Sequence, residues 1–197
     1  MNENPNQKSI LITGCSSGIG LAVAEGLNRS GYRVFATVRR REDIEKLTQK
    51  GLESLHLDLD DSFSIQSALH EVLHRTGGTL YALFSNGGYG QPGAVEDLSR
   101  EAIRVQFETN LFGTMELITR VIPVMRKQGY GRIIQCSSIL GFVALPYRGA
   151  YIASKYALEG LTDTLRLELS STPIRVSLIE PGPISTRYKF NSLKFFK

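Results

Sequence analysis

Tryptophan is absent from this chain of 197 residues, and cysteine, histidine and methionine are scarce, at two, three and three. Cys15 and Cys136 lie in or beside expected strand ends without the paired spacing of a metal knuckle, and a disulfide scaffold would need a denser set. A reduced, intracellular chain is expected. No apolar run approaches the roughly 20 residues that cross a bilayer. The opening MNENPNQK is polar and is not followed by a signal-type hydrophobic core, so the expected location is cytoplasmic, with no membrane partner. Charge of one sign is also in short supply: 23 Lys and Arg against 19 Asp and Glu leave a net +4. The basic residues are scattered and not interleaved with aromatics, which argues against nucleic acid as a partner and favours small anions.

What the chain does contain is alternation. Short β-branched and aromatic runs, SILIT (Ser9 to Thr13), YRVFATV (Tyr32 to Val38), SLHLDL (Ser54 to Leu59), YALFSN (Tyr81 to Asn86), RIIQCSS (Arg132 to Ser138) and RVSLIEP (Arg175 to Pro181), alternate with longer segments of helical period. Spacers of that length let successive strands run parallel, and continuous apolar strands suit a sheet covered on both faces. The expected class is α/β, a doubly wound parallel sheet of six strands in one domain over residues 1–197. The helix from Ser62 to Thr76 places Ile65, Ala68, Leu69, Val72 and Leu73 on one stripe, and Ser99 to Lys127 reads as one extended helix around Asn110.

Within the first of those helices, His70-Glu71-Val72-Leu73-His74 matches the zinc-protease pattern H-E-x-x-H. On a wheel centred on Ile65 the two histidines fall about 140° and 180° away, toward solvent. The remaining histidine, His56, lies upstream on an expected strand. No metal is expected.

The first strand runs into TGCSSGIG, Thr13 to Gly20, and a helix follows. Gly14, Gly18 and Gly20 would let backbone approach a pyrophosphate at the helix N-terminus, although any strand-to-helix turn can use glycine. The second strand ends in TVRRR, where an NAD-preferring fold carries an acid for the adenosine ribose. Arg39, helped by Arg40 or Arg41, is placed to pair with a 2′-phosphate, and this favours NADP(H); the competing reading is a solvated turn. YIASK puts Tyr151 and Lys155 four residues apart on one helical face, a pairing that chance also produces.

Together these motifs resemble the short-chain dehydrogenase/reductase family of extended-Rossmann type. The resemblance spans almost the whole sequence: TGCSSGIG; Asp58 after the third strand; SNGGYG with Asn86 and Gly87 after the fourth; Asn110; Ser138; Tyr151 and Lys155; and PGPIST after the sixth. TGCSSGIG, YIASKYALEGL and LIEPGP are most similar to the hydroxysteroid and retinol dehydrogenase branch, many members of which prefer NADP(H).

The resemblance implies an oxidoreductase that interconverts an alcohol with an aldehyde or ketone. Reducing a carbonyl requires hydride at carbon and a proton at oxygen, and Tyr151 would supply the proton, tuned by the neighbouring Lys155 cation. By resemblance, Lys155 also binds the nicotinamide ribose, Asn110 holds a water leading to Lys155, and Ser138 donates a hydrogen bond to the substrate oxygen. The implied cofactor contacts are Gly14, Ser16, Ser17, Gly18, Ile19 and Gly20 in the turn, Arg39 after the second strand, and Asp58 with Leu59 beside the adenine. Asn86, Gly87, Tyr151 and Lys155 continue the set, and Pro181, Gly182, Ile184 and Thr186 complete it at the carboxamide. Gly87 stands where the family usually has alanine, which implies looser packing. Phe142, Val143, Leu145, Pro146, Tyr147 and Tyr89 suggest an apolar pocket, or core.

After the proline-glycine loop the chain ends with YKFNSLKFFK, where family members continue through a lid, a helix and a seventh strand. The chain is therefore expected to lack that region. The rival to the oxidoreductase reading is a non-catalytic NADP(H)-binding protein. A homodimer through the long helices is the implied assembly.

Overall fold

A computed structural model describes residues 7–186 of the chain. The two terminal segments read above, MNENPN and YKFNSLKFFK, lie outside the described residues. Six strands form one parallel sheet: β1 (Ser9–Ile12), β2 (Arg33–Val38), β3 (Glu53–His56), β4 (Ala82–Ser85), β5 (Gly131–Cys136) and β6 (Ile174–Ile179), in the order β3-β2-β1-β4-β5-β6. The helices are α1 (Gly18–Arg29), α2 (Glu42–Thr48), α3 (Ser62–Arg75), α4 (Arg100–Phe107), α5 (Gly113–Gln128) and α6 (Gly149–Glu168). The strand order reverses between β1 and β4, and the crevice beyond the carboxyl ends of those strands is where such sheets receive ligands.

The period-two alternation of each strand divides the core into two layers. Leu11 and Phe35 point to the face covered by α3, α5 and α6, where they join Ile65, Val72, Leu117, Ile118, Val121 and Ile133. Ile10, Ile12, Val34, Ala36 and Phe84 point to the other face with Ala24 of α1 and Leu47 of α2. On α3, the stripe of Ile65, Ala68, Leu69 and Val72 is buried and Leu73 packs against it, as the sequence predicts. His70 and His74 lie on the exposed face. Asp61 caps this helix, its carboxylate accepting from the Phe63 amide at 2.9 Å.

One expected element differs. The segment read as a single helix from Ser99 to Lys127 is α4 and α5 joined by a π-turn over Glu108–Phe112. The wider turn brings three successive side chains inward, Thr109, Asn110 and Leu111, while Phe112 faces out. Thr109 donates to the Asp60 carboxylate at 2.6 Å, while Asn110 faces the Tyr89 backbone and Ser154 of α6. A Cβ on Gly113, just after the turn, would overlap the Leu59 carbonyl, so the glycine lets α5 pass the loop leaving β3.

Candidate active site

The loops leaving β1 and β4 are tied together by Thr13 and Asn86. The Thr13 hydroxyl accepts from the amides of Asn86 and Gly87 at 2.9 and 2.8 Å, and the Asn86 carboxamide donates to the carbonyls of Thr13 and Gly14 at 3.0 and 3.3 Å. Gly14 has φ +73, and a Cβ there would lie 2.8 Å from the Gly87 Cα. A Cβ on Gly20 would lie 2.5 Å from the Gly14 carbonyl oxygen. The turn is therefore closed backbone to backbone, with no room for side chains. Ser17 is the extended N-cap of α1 and makes no side-chain cap bond, while Ser16 is exposed and Ile19 half-buried. Thr186 returns to this turn, its side chain 3.6 Å from where a Cβ on Gly18 would stand.

Gly87 is packed more closely than expected. Leu59 Cδ1 occupies the space beside it, 2.9 Å from the place of a Cβ, so the missing methyl is filled from the loop leaving β3. Asp58 turns its carboxylate into its own loop, accepting from the Asp60 amide at 3.1 Å.

At the end of β2 the three arginines separate. Arg40 pairs with Glu42 at 3.1 Å and with Asp43 at 3.0 Å. Asp43 is buried, which raises its pKa, but bonds from Lys46 and Arg40 hold it below the ordinary carboxylate value. Arg40 is thus engaged by the first turn of α2. Arg39 is exposed, with no carboxylate partner among the described residues. The Tyr89 phenol is pushed up to about 12, by burial first and the Asp60 carboxylate second, with Arg39 opposing.

At the other end, Ser138, Tyr151, Lys155 and Asn110 are all buried, at 8, 8, 6 and 1% exposure. Ser138, expected as the last residue of the fifth strand, lies two residues beyond the end of β5 and caps the short turn Ile139–Gly141, its hydroxyl accepting from the Leu140 amide at 3.1 Å. Gly141 brings that turn against α6, where a Cβ would meet the Glu159 carboxylate at 2.7 Å. On α6 the Lys155 ammonium lies 5.7 Å from the Tyr151 ring centroid and donates to the Cys136 carbonyl at 2.8 Å. That uses one of its three N–H donors. Asn110 sits in the π-turn with its carboxamide donating to the Tyr89 carbonyl at 2.9 Å and the Ser154 hydroxyl at 3.1 Å, and accepting from the Tyr89 amide at 3.0 Å. Ser154 in turn donates to the Tyr151 carbonyl at 2.7 Å.

The β6 loop closes the arrangement. The Pro181 carbonyl accepts from the Ile139 amide at 3.2 Å, while Gly182 and Ile184 are exposed. Phe142, Val143, Leu145 and Tyr147 are exposed by about half or more, at 55, 49, 52 and 64%, so they are rim and not core. Burial pushes the Cys15 thiol up to about 12 and raises Cys136 against the opposing Lys155 charge, which keeps both thiols protonated and poor nucleophiles. Thr13 and Ser154 carry no local sequence signal because their partners, the amides of Asn86 and Gly87 and the carboxamide of Asn110, lie far along the chain. Among the described residues no helix is long and apolar enough to cross a membrane.

A glycine turn leading from the first strand of a doubly wound parallel sheet into a helix is the arrangement of a dinucleotide-binding fold. The family model for short chain dehydrogenase matches residues 8–194, and the chain belongs to that family. It is 47% identical over 185 residues to the uncharacterized oxidoreductase YbbO of Escherichia coli, covering 94% of this chain and 69% of that protein. It is 36% identical to human 17-beta-hydroxysteroid dehydrogenase type 1, covering 91% of this chain and 57% of the relative. Among solved structures, a variant of actinorhodin polyketide ketoreductase with NADPH superposes with a TM-score of 0.87 at 30% identity, covering 96% of this chain and 78% of that one. Complexes with NADPH and with NAD both occur among similar structures.

Proposed function

We propose that the protein is an NADP(H)-dependent oxidoreductase that interconverts an alcohol with an aldehyde or ketone on an apolar substrate, with Tyr151 as general acid and base. The observation that carries this reading is the burial of Ser138, Tyr151 and Lys155 in the same parallel sheet fold whose first strand leads into the closed Gly14–Gly20 turn. The residues present fit the cofactor: the closed glycine turn and the N-cap of α1 suit a pyrophosphate, and Arg39, free of carboxylates where an acid would favour NAD, suits a 2′-phosphate. When bound, the nicotinamide supplies hydride to the carbonyl carbon.

The side chains supply the rest. Ser138 donates to the substrate oxygen as negative charge develops there. Tyr151 delivers its phenolic proton to that oxygen in reduction and recovers one in oxidation. Lys155, anchored on the Cys136 carbonyl, offers its remaining donors to the ribose and its charge to the phenol. Asn110 fixes the π-turn against the β4 loop and α6. The rim of Phe142, Val143, Leu145 and Tyr147 supports an apolar substrate. We assign homodimer formation to the exposed apolar side chains Phe112, Tyr156 and Leu161 on the π-turn and α6.

The test is incubation of the purified chain with NADPH and a panel of aldehydes, ketones, retinal and keto-steroids, following loss of nicotinamide absorbance. Turnover with one class supports the reading. A flat trace with measurable NADPH binding overturns it in favour of a non-catalytic binder.

A further inference from the structure

Gln106, in the last turn of α4, is a full-length polar side chain with no exposure at all. Burying a carboxamide costs free energy unless both its ends are paired, and here both pair with one loop. Its oxygen accepts from the Gln91 amide at 2.6 Å, and its nitrogen donates to the Tyr89 carbonyl at 2.9 Å. A carbonyl at one residue and an amide two residues on are the groups that a neighbouring peptide engages in a parallel sheet. The Gln106 side chain thus replaces a missing strand partner just beyond β4.

The loop it holds has two ends with different duties. Its near end, Asn86 and Gly87, is already fixed by Thr13, and Asn110 holds both backbone groups of Tyr89. Its far end reaches the entry to the catalytic helix: the Gly93 amide donates to the Tyr147 carbonyl at 3.1 Å, and Gly93 bridges to Arg148, the residue before α6. Tyr147 is the one non-glycine residue with positive φ among the described residues, at +61. For an aromatic residue this conformation is strained and persists only where surrounding contacts enforce it. Gly149 adds to the contact, since a Cβ there would lie 2.6 Å from Val95.

We propose that Gln106 is a positioning residue for the reaction: by clamping residues 89 and 91 it carries the Gly93–Tyr147 contact, and so sets the substrate rim and the start of the helix bearing Tyr151. This rests on the oxidoreductase reading above for its kinetic consequence, and on geometry alone for the clamp. Because the cofactor end of the loop is held separately, Gln106 acts on the carbonyl substrate and not on NADPH affinity.

Two variants and two measurements test it. Gln106→Met keeps length and loses both bonds; Gln106→Glu keeps an acceptor for Gln91 and loses the donor to Tyr89, which Asn110 still serves. Residue-resolved amide exchange on the purified chain should show Gln91 and Gly93 exchanging at least about tenfold faster in Gln106→Met, the scale of one lost net hydrogen bond. Tyr89, held by Asn110, should be unchanged, and Gln106→Glu should retain protection at Gln91. With whichever of octanal, retinal or a keto-steroid turns over, kcat/KM should fall by about tenfold in Gln106→Met while the NADPH dissociation constant stays within about twofold. Unchanged exchange at Gly93, or equal losses in NADPH affinity and kcat/KM, would overturn the proposal. If the parent turns over nothing, the functional reading fails, and the exchange measurement still decides the clamp.

Discussion

In the proposed reaction Tyr151 and Lys155 act as a pair, since one turn of α6 holds the ammonium 5.7 Å from the phenol ring. Tyr151→Phe removes the transferable proton and leaves the ring. Carbonyl reduction should fall by about 10²- to 10⁴-fold, the usual worth of a positioned acid, with NADPH affinity retained; steady-state rates and a binding titration check this, and an active variant would reject the assignment. Arg39 is the counterpart at the far end of the crevice. Arg39→Asp replaces the partner of a 2′-phosphate by a ribose acceptor and should lower the NADPH:NADH ratio of kcat/KM by at least about tenfold, since a charge-assisted hydrogen bond is worth about 1.5–3 kcal/mol. An unchanged ratio would move the role to Arg41, because Arg40 is held by Glu42 and Asp43.

At the scale of elements, α1 offers a comparison within one helix. A Cβ on Gly20 would press on the Gly14 carbonyl oxygen, whereas one on Gly26 would meet nothing within 4 Å. Gly20→Ala should cost about 1–3 kcal/mol by overpacking and weaken NADPH binding with it. Gly26→Ala should be neutral or stabilise by about 0.5–1 kcal/mol, since glycine is a poor interior helix residue. Thermal melts and a cofactor titration of both variants are the check. Equal effects would mean that the turn is not closed as described. The π-turn belongs to this scale too. Its residues have ordinary helical character in the sequence, and only the demand that Thr109, Asn110 and Leu111 all face inward reveals the extra residue in the turn.

For the whole molecule, the sheet is unevenly covered. Three helices pack on one face, while on the other a groove lined by Val23, Leu27, Tyr81, Phe84, Ile134 and Ile179 stays open beside β6, the edge strand among the described residues. Ile179 is 45% exposed there, and an apolar edge of this kind invites association. Ile179→Lys should reduce concentration-dependent association in sedimentation, and any dimer formed through the proposed Phe112, Tyr156 and Leu161 surface should persist in the variant. NADPH at about 100 times its dissociation constant should stabilise the fold by about 2.7 kcal/mol, raising Tm by about 5–10 °C for a chain of this size. No shift would argue against cofactor binding by the folded chain.

Much of this was legible in the chain itself, because its signals are local. Short continuous apolar strands separated by helix-length segments point to the parallel sheet, the α3 stripe fixes which side of that helix is buried, and Ser138, Tyr151 and Lys155 stand close together along one strand end and one helix. Contacts between distant segments were decided only by tertiary packing. The carboxamides of Gln106 and Asn110 meet the backbone of Tyr89 and Gln91 across the crevice, Leu59 fills the space beside Gly87, and Arg40 is drawn to α2 while Arg39 is not. A side chain's partner is set by where the fold brings other backbone groups, and no local pattern of hydrophobicity or charge encodes that placement.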